Sequence, residues 1–227
     1  GASMGDTIVG LLPVMIGATL VPVYPIMVLL LLQSDQGLLK AAAFVAGAVL
    51  VRLLQGVLFG FVFGRAADAY PADGPDIIAS TLLLVLGILL LVAAYRKWRK
   101  EADPDDPPPK WMTAITGLSA GRAFGAGALV VALAFKQWVF TLSAIAIIEQ
   151  ASAGLTASVL AFLLFVVGAQ LLVALPIVAY AIAPGATGRL LDTAQSWLTR
   201  YERVILTGVS FVFGLWFLWK GITGLLG

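Results

Sequence analysis

Long runs of apolar residues alternate along the chain with short polar ones. The runs continue well past the period of a half-buried strand or a water-facing helix. Six of them, at about 7–32, 41–63, 77–95, 125–148, 155–182 and 204–226, reach the roughly 20 residues a helix needs to cross about 30 Å of hydrocarbon. Within lipid a backbone must satisfy its own hydrogen bonds, and runs of this length do so only as helices. The pattern predicts an all-α integral membrane protein with six transmembrane helices.

The polar gaps differ in chemistry. Residues 101–109, Glu-Ala-Asp-Pro-Asp-Asp-Pro-Pro-Pro, are acidic and proline-rich, as in an extended, solvated linker. That linker, taken as 101–116, divides the chain into a first three-helix unit at 5–100 and a second at 117–227. In the segment 189–203, Leu190, Leu191, Ala194, Trp197, Leu198 and Tyr201 recur at helical spacing opposite charged residues. This fits either a helix lying in the membrane interface or one packed on the protein. Gly1-Ala2-Ser3 ahead of Met4 reads as a residue of a tag. The first run does not read as a cleavable signal: it lacks a basic leader and contains Pro22 and Pro25.

The Lys and Arg positions set an expected orientation. Lys40, Arg96, Lys97, Arg99, Lys100, Lys110, Arg189, Arg200 and Arg203, together with Arg122, fall in the gaps after helices 1, 3 and 5. Only Arg65 and Lys220 fall on the other side. The expectation is a multi-pass protein of the bacterial cytoplasmic membrane, with both termini outside and the linker in the cytoplasm.

Composition narrows the function. The 227 residues are 61% hydrophobic and 11% charged, against about 45–50% and about 25% in soluble domains. A soluble enzyme is excluded. The net charge is only +2 and no basic tract occurs, so nucleic acid is not an expected partner. Without Cys or His there is no disulfide, no thiol chemistry and no imidazole metal site. A membrane enzyme would lack a nucleophile–base pair, and no phosphate-binding loop of the ATP-using type occurs. No catalytic residue, metal site or cofactor is expected. Membrane lipids are the expected partners, with a homodimer through glycine-lined helices as a further expectation.

Two charges lie inside apolar runs, Arg52 in helix 2 and Lys136 in helix 4. Burying each costs about 2.5–3.5 kcal/mol or more, and no Asp or Glu falls at that depth to pair with them. Two readings stay open. Either both hydrogen-bond carbonyls freed by Pro22, Pro25 and Pro176, or both line a cavity for an anion. On the second reading Arg52, Lys136, Gln55, Gln170 and Tyr24 bind substrate, and the three prolines mark helix breaks that gate it. Ala48, Arg52, Gly56, Gly60 and Gly64 share one face of helix 2, which directs Arg52 at protein rather than lipid. Gly117, Gly121 and Gly125 form a second series. A metal-cation carrier is disfavoured, because the buried charges are positive.

The halves echo one another. Setting Arg52-Leu53-Leu54 on Gln170-Leu171-Leu172 brings the Pro22–Pro25 stretch close to Lys136-Gln137-Trp138. Three helices precede the second copy, so it would run through the membrane inverted, the arrangement of many secondary transporters. With the break Leu20-Val21-Pro22-Val23-Tyr24-Pro25, a charged helix 2 and Lys136 in helix 4, the chain resembles the lysine-exporter (LysE) superfamily. Within it the nearest likeness is to the GAP/Sap family of glycolipid-addressing proteins. The resemblance implies export or flipping of an anionic, glycolipid-like amphiphile. Many superfamily members have Asn-Pro-Lys in helix 4; Ala134-Phe135-Lys136 here keeps only the Lys, which argues against an amino-acid substrate. Export of a small solute such as an amino acid, and a non-transporting scaffold for a lipid-synthesis complex, are the alternatives.

Overall fold

A computed structural model describes the whole chain except residues 1–3, 70–73, 101–109, 152–153 and 227. The described residues form ten helices and no strand. They are α1 (Met4–Thr19), α2 (Val23–Leu32), α3 (Gly37–Ala69), α4 (Gly74–Arg99), α5 (Lys110–Thr116), α6 (Ala120–Leu133), α7 (Phe135–Ala151), α8 (Leu155–Gly168), α9 (Leu171–Ile182) and α10 (Pro184–Leu226). Helices α3, α4 and α10 are long and apolar enough to cross a membrane unbroken. The pairs α1/α2, α6/α7 and α8/α9 are bent by 58°, 68° and 56°, and six spans result when each pair counts as one.

Each bend has a local cause. Between α1 and α2, Pro22 cannot donate to Ala18, so the first helix stops. The new one starts with the bond from Ile26 N–H to the Pro22 carbonyl, 3.0 Å. Pro25 falls in the first turn of α2, where a proline is tolerated. The α6/α7 break holds no proline: Ala134 is extended, at φ −73° and ψ 112°. There the Trp138 indole donates 2.6 Å to the Ala132 carbonyl, whose helical partner would have been the Lys136 N–H across the break. At Ala169–Gln170 the chain tightens, with Gln170 N–H bonding Val167 O at 3.0 Å. The Thr19 hydroxyl, from the end of α1, donates there to the Ala169 carbonyl at 3.2 Å.

Two sequence expectations are corrected. Pro176 is not at a break; it lies inside α9, six residues beyond Gln170. Within the linker taken as 101–116, residues 110–116 form helix α5, with Met112 and Ile115 buried; the stretch expected to be extended, 101–109, lies outside the described residues. Residues 189–203 are not a separate element, because α10 runs unbroken through them for 43 residues. That stretch packs on the protein on one side only: Leu191 is buried and the Gln33 side chain donates to Gln195 at 2.9 Å, while Leu190 and Trp197 are exposed.

Close helix approach depends on glycine. A Cβ at Gly87 of α4 would lie 2.7 Å from the Leu218 nitrogen, and one at Gly221 of α10 would lie 2.7 Å from that of Leu84, so these two backbones touch. Gly47 of α3 and Gly127 of α6 meet the carbonyls of Phe124 and Phe44 in the same way. The Gly121 and Gly125 positions are open. The core splits into two clusters, one around Phe140, Phe165 and Phe217 and one around Tyr24, Phe44 and Val131.

The ends of the spans sort into two faces. Arg203 donates to the Trp98 carbonyl (2.6 Å), Lys40 to that of Thr116 (3.3 Å), and Gln33 to Gln195. These contacts gather the segments after spans 1, 3 and 5. Gln150 reaches Ser80 at 3.2 Å on the opposite face.

Candidate functional site

The three breaks converge on Arg52. Its side chain, at the middle of the unbroken helix α3, is 0% exposed. The guanidinium donates to Gln137 Oε1 and, at 3.4 Å, to Thr141 Oγ1, and it stacks 5.8 Å over the Phe165 ring. Gln137 and Thr141 are four residues apart on α7, so one helix face presents both. Tyr24, buried and within electrostatic reach of Arg52, donates 2.7 Å from its hydroxyl to Gln170 Oε1. Tyr24 is the second residue of α2, Gln137 the third of α7, and Gln170 caps the start of α9. The breaks thus place three helix starts, with their positive dipole ends, around one buried cation.

What is left unpaired defines the chemistry. Arg52 only donates, so it fixes the Gln137 amide with its oxygen inward and its Nε2 turned away. Among the described residues Arg52 Nε, Gln137 Nε2, Gln170 Nε2 and both amide atoms of Gln55 are buried with no hydrogen-bond partner. Each such group costs about 1–3 kcal/mol. Four of these five atoms are donors, and the guanidinium bonds to no carboxylate among the described residues. The arrangement is built for acceptor oxygens carrying negative charge.

Of the residues expected to bind substrate, Arg52, Tyr24, Gln55 and Gln170 are buried, and the Tyr24 hydroxyl bonds Gln170. Lys136 is not part of this network. It is half-buried, one residue and so about 100° around α7 from Gln137. Gln137 and Thr141 were missed in the sequence. Their spacing of four was visible, but apolar neighbours in the run hid which face turns inward.

Beside the cluster, a cavity of about 430 Å³ opens between α3, α7 and α8, with Gly56, Gly60, Ile145, Glu149 and Phe162 on its walls. Arg52 does not line it.

The comparisons with known proteins agree with this architecture. The family model for Sap, sulfolipid-1-addressing protein, matches residues 11–223. The chain belongs to that family. It is also similar to a protein of Nitrosomonas eutropha named for manganese efflux, MntP: 38% identical over 78 residues, which are 34% of this chain and 42% of that protein. No solved structure matches it significantly. The result is a Sap-family protein with several helices long and apolar enough to span a membrane.

Proposed function

We propose that this Sap-family protein exports or flips an anionic amphiphile across the bacterial cytoplasmic membrane, and that the Arg52 cluster holds the head group. The observation that carries this reading is a fully buried guanidinium with its Nε unpaired, in a protein that also buries partnerless amide donors on Gln55, Gln137 and Gln170. A sulfate, phosphate or carboxylate would supply both the countercharge and the missing acceptors. Binding would then relieve a cost already present in the empty protein. The reading assigns transport with no covalent chemistry and no cofactor, with Gln55, Gln137 and Gln170 as head-group supports.

We read the two halves as an inverted repeat, which would support the transporter assignment. Each half opens with a bent pair, α1/α2 and α6/α7, and closes with a straight helix; those closing helices, α4 and α10, pack against each other. The correspondence is loosest in the middle pair, where Arg52 sits in a continuous helix and Gln170 at a break.

The name of the MntP relative points to a divalent cation. Here the buried charge is itself a cation, which repels a metal ion, and no group of three His, Cys, Asp or Glu able to hold one occurs among the described residues. The anionic reading is therefore favoured.

The test is purified protein in vesicles carrying a fluorescent anionic lipid, with leaflet exchange followed by an impermeant quencher. Wild type should accelerate exchange and Arg52→Gln should lose about tenfold or more, while both stay folded. Efflux of amino acid without lipid exchange would instead establish the small-solute reading. Neither activity in folded wild type would leave the scaffold role.

A further inference from the structure

The cavity between α3, α7 and α8 is wide enough to hold a ligand: 430 Å³ lies within the roughly 300–1,000 Å³ of known ligand pockets. Its walls are almost wholly apolar. Leu53, Val57, Ile145, Ile148, Val159 and Leu163 supply most of them, with Ser158 and Glu149 as the polar members. It is walled entirely by membrane-spanning helices. Its rim continues into exposed apolar side chains, Val57 at 74% and Leu155 at 82%. The room comes from glycine: a Cβ at Gly60 would meet nothing within 4 Å, whereas one at Gly56 would collide with the Phe162 ring. Phe162 also packs 5.9 Å from Phe165, the ring beneath the Arg52 guanidinium. A pair of aromatic rings therefore separates the floor of this groove from the polar cluster.

We infer that the groove is a binding site for one hydrocarbon chain of a membrane amphiphile, with Phe162 and Phe165 as the partition between chain and head group. The inference rests on the head-group reading of Arg52 and adds that the substrate carries an acyl chain. The medium against the open side is itself hydrocarbon, so a chain enters without leaving an apolar environment. It gains the packing that a void forfeits. No other chemistry suits walls that offer almost no hydrogen bond.

The experiment uses the full chain in lipid nanodiscs containing phosphatidylglycerol with a diazirine near the end of one acyl chain. After illumination, adducts are located by mass spectrometry. Labelling should saturate at low probe content and concentrate on Leu53, Val57, Ile145, Ile148, Val159 and Leu163. Gly60→Phe, which fills open space, should reduce it several-fold, and Gly60→Ala should not. Ser158→Phe fills the groove from the opposite wall and should act alike. Labelling spread evenly over outward-facing residues such as Leu54 and Leu175 would mean annular lipid only and overturn the site. Groove labelling undiminished in both Phe variants would overturn it too. Arg52→Gln should keep the groove labelling. If that variant also kept lipid exchange, the head-group reading would fail while the groove stood.

Discussion

The Tyr24 hydroxyl meets Gln170 Oε1 at 2.7 Å, joining the first turn of α2 to the start of α9 across 146 positions of sequence. Both residues stand immediately after a helix break, and both are buried. One hydrogen bond therefore couples two bends. The Thr19 hydroxyl reinforces it by donating to the Ala169 carbonyl at 3.2 Å. If the bends move during transport, these two contacts must open and close together.

Tyr24→Phe keeps the ring against Phe44, whose centroid is 5.3 Å away, and removes only the hydroxyl. The Gln170 oxygen is then buried without a donor, a loss of about 1–3 kcal/mol. The expected outcome is a lower thermal midpoint, together with lipid exchange changed more than the midpoint alone explains. Thr207→Val is the comparison: its buried hydroxyl has no partner among the described residues, so the same kind of deletion should leave stability unchanged or raise it.

The spans and the first break were legible in the sequence because they follow from composition and from proline, whose missing N–H acts locally. The other two breaks were not located, since neither is caused by proline. Ala134 departs from helix with only a Trp138 indole to satisfy the freed carbonyl, and Ala169–Gln170 yields to a threonine from another helix. These are tertiary causes, absent from any local window. Pro176 carried the opposite signal: a proline inside a helix whose residues remain helical. Within the site, the depth of Arg52 in helix 2 and its glycine stripe pointed it inward. The choice between Lys136 and Gln137 as its neighbour depended on the rotation of α7 after the break, which the sequence leaves open.

That rotation separates the two cations by role. Arg52→Gln should lose about tenfold or more of lipid exchange, as argued above. Lys136→Gln removes a half-buried charge about 100° around α7 from Gln137. Exchange should stay within about twofold of wild type, with stability unchanged or slightly raised by the loss of a partly desolvated charge. Loss of exchange in Lys136→Gln comparable to that in Arg52→Gln would return Lys136 to the binding site.

Glycines divide by what surrounds them. Gly127→Ala places a methyl against the Phe44 backbone where α3 and α6 touch. Backbone cannot swing aside as a side chain can, so the helices must separate, at a cost of about 1–3 kcal/mol. Gly121→Ala, in the same helix, meets open space and should stabilise by about 0.5–1 kcal/mol through helix propensity. Thermal unfolding of the two variants in one detergent should show shifts of opposite sign. Equal shifts would contradict the packing of α3 on α6.

Orientation is the remaining expectation, and the absence of cysteine makes it direct to measure. Thr113 of α5 and Thr223 near the end of α10 are both exposed, on opposite faces of the fold. The face with Thr113 collects Lys40, Arg96, Lys97, Arg99, Lys100 and Lys110, and a membrane protein keeps such a face in the cytoplasm. Thr223→Cys should therefore react with an impermeant thiol reagent in intact cells, and Thr113→Cys only after the membrane is opened. The reverse pattern would place the basic face outside. It would also turn the open side of the hydrocarbon groove, near Glu149 and Leu155, from the outer half of the membrane to the inner half. An exporter would then load the chain where the present orientation has it released, so this labelling decides which end of the transport step the groove serves.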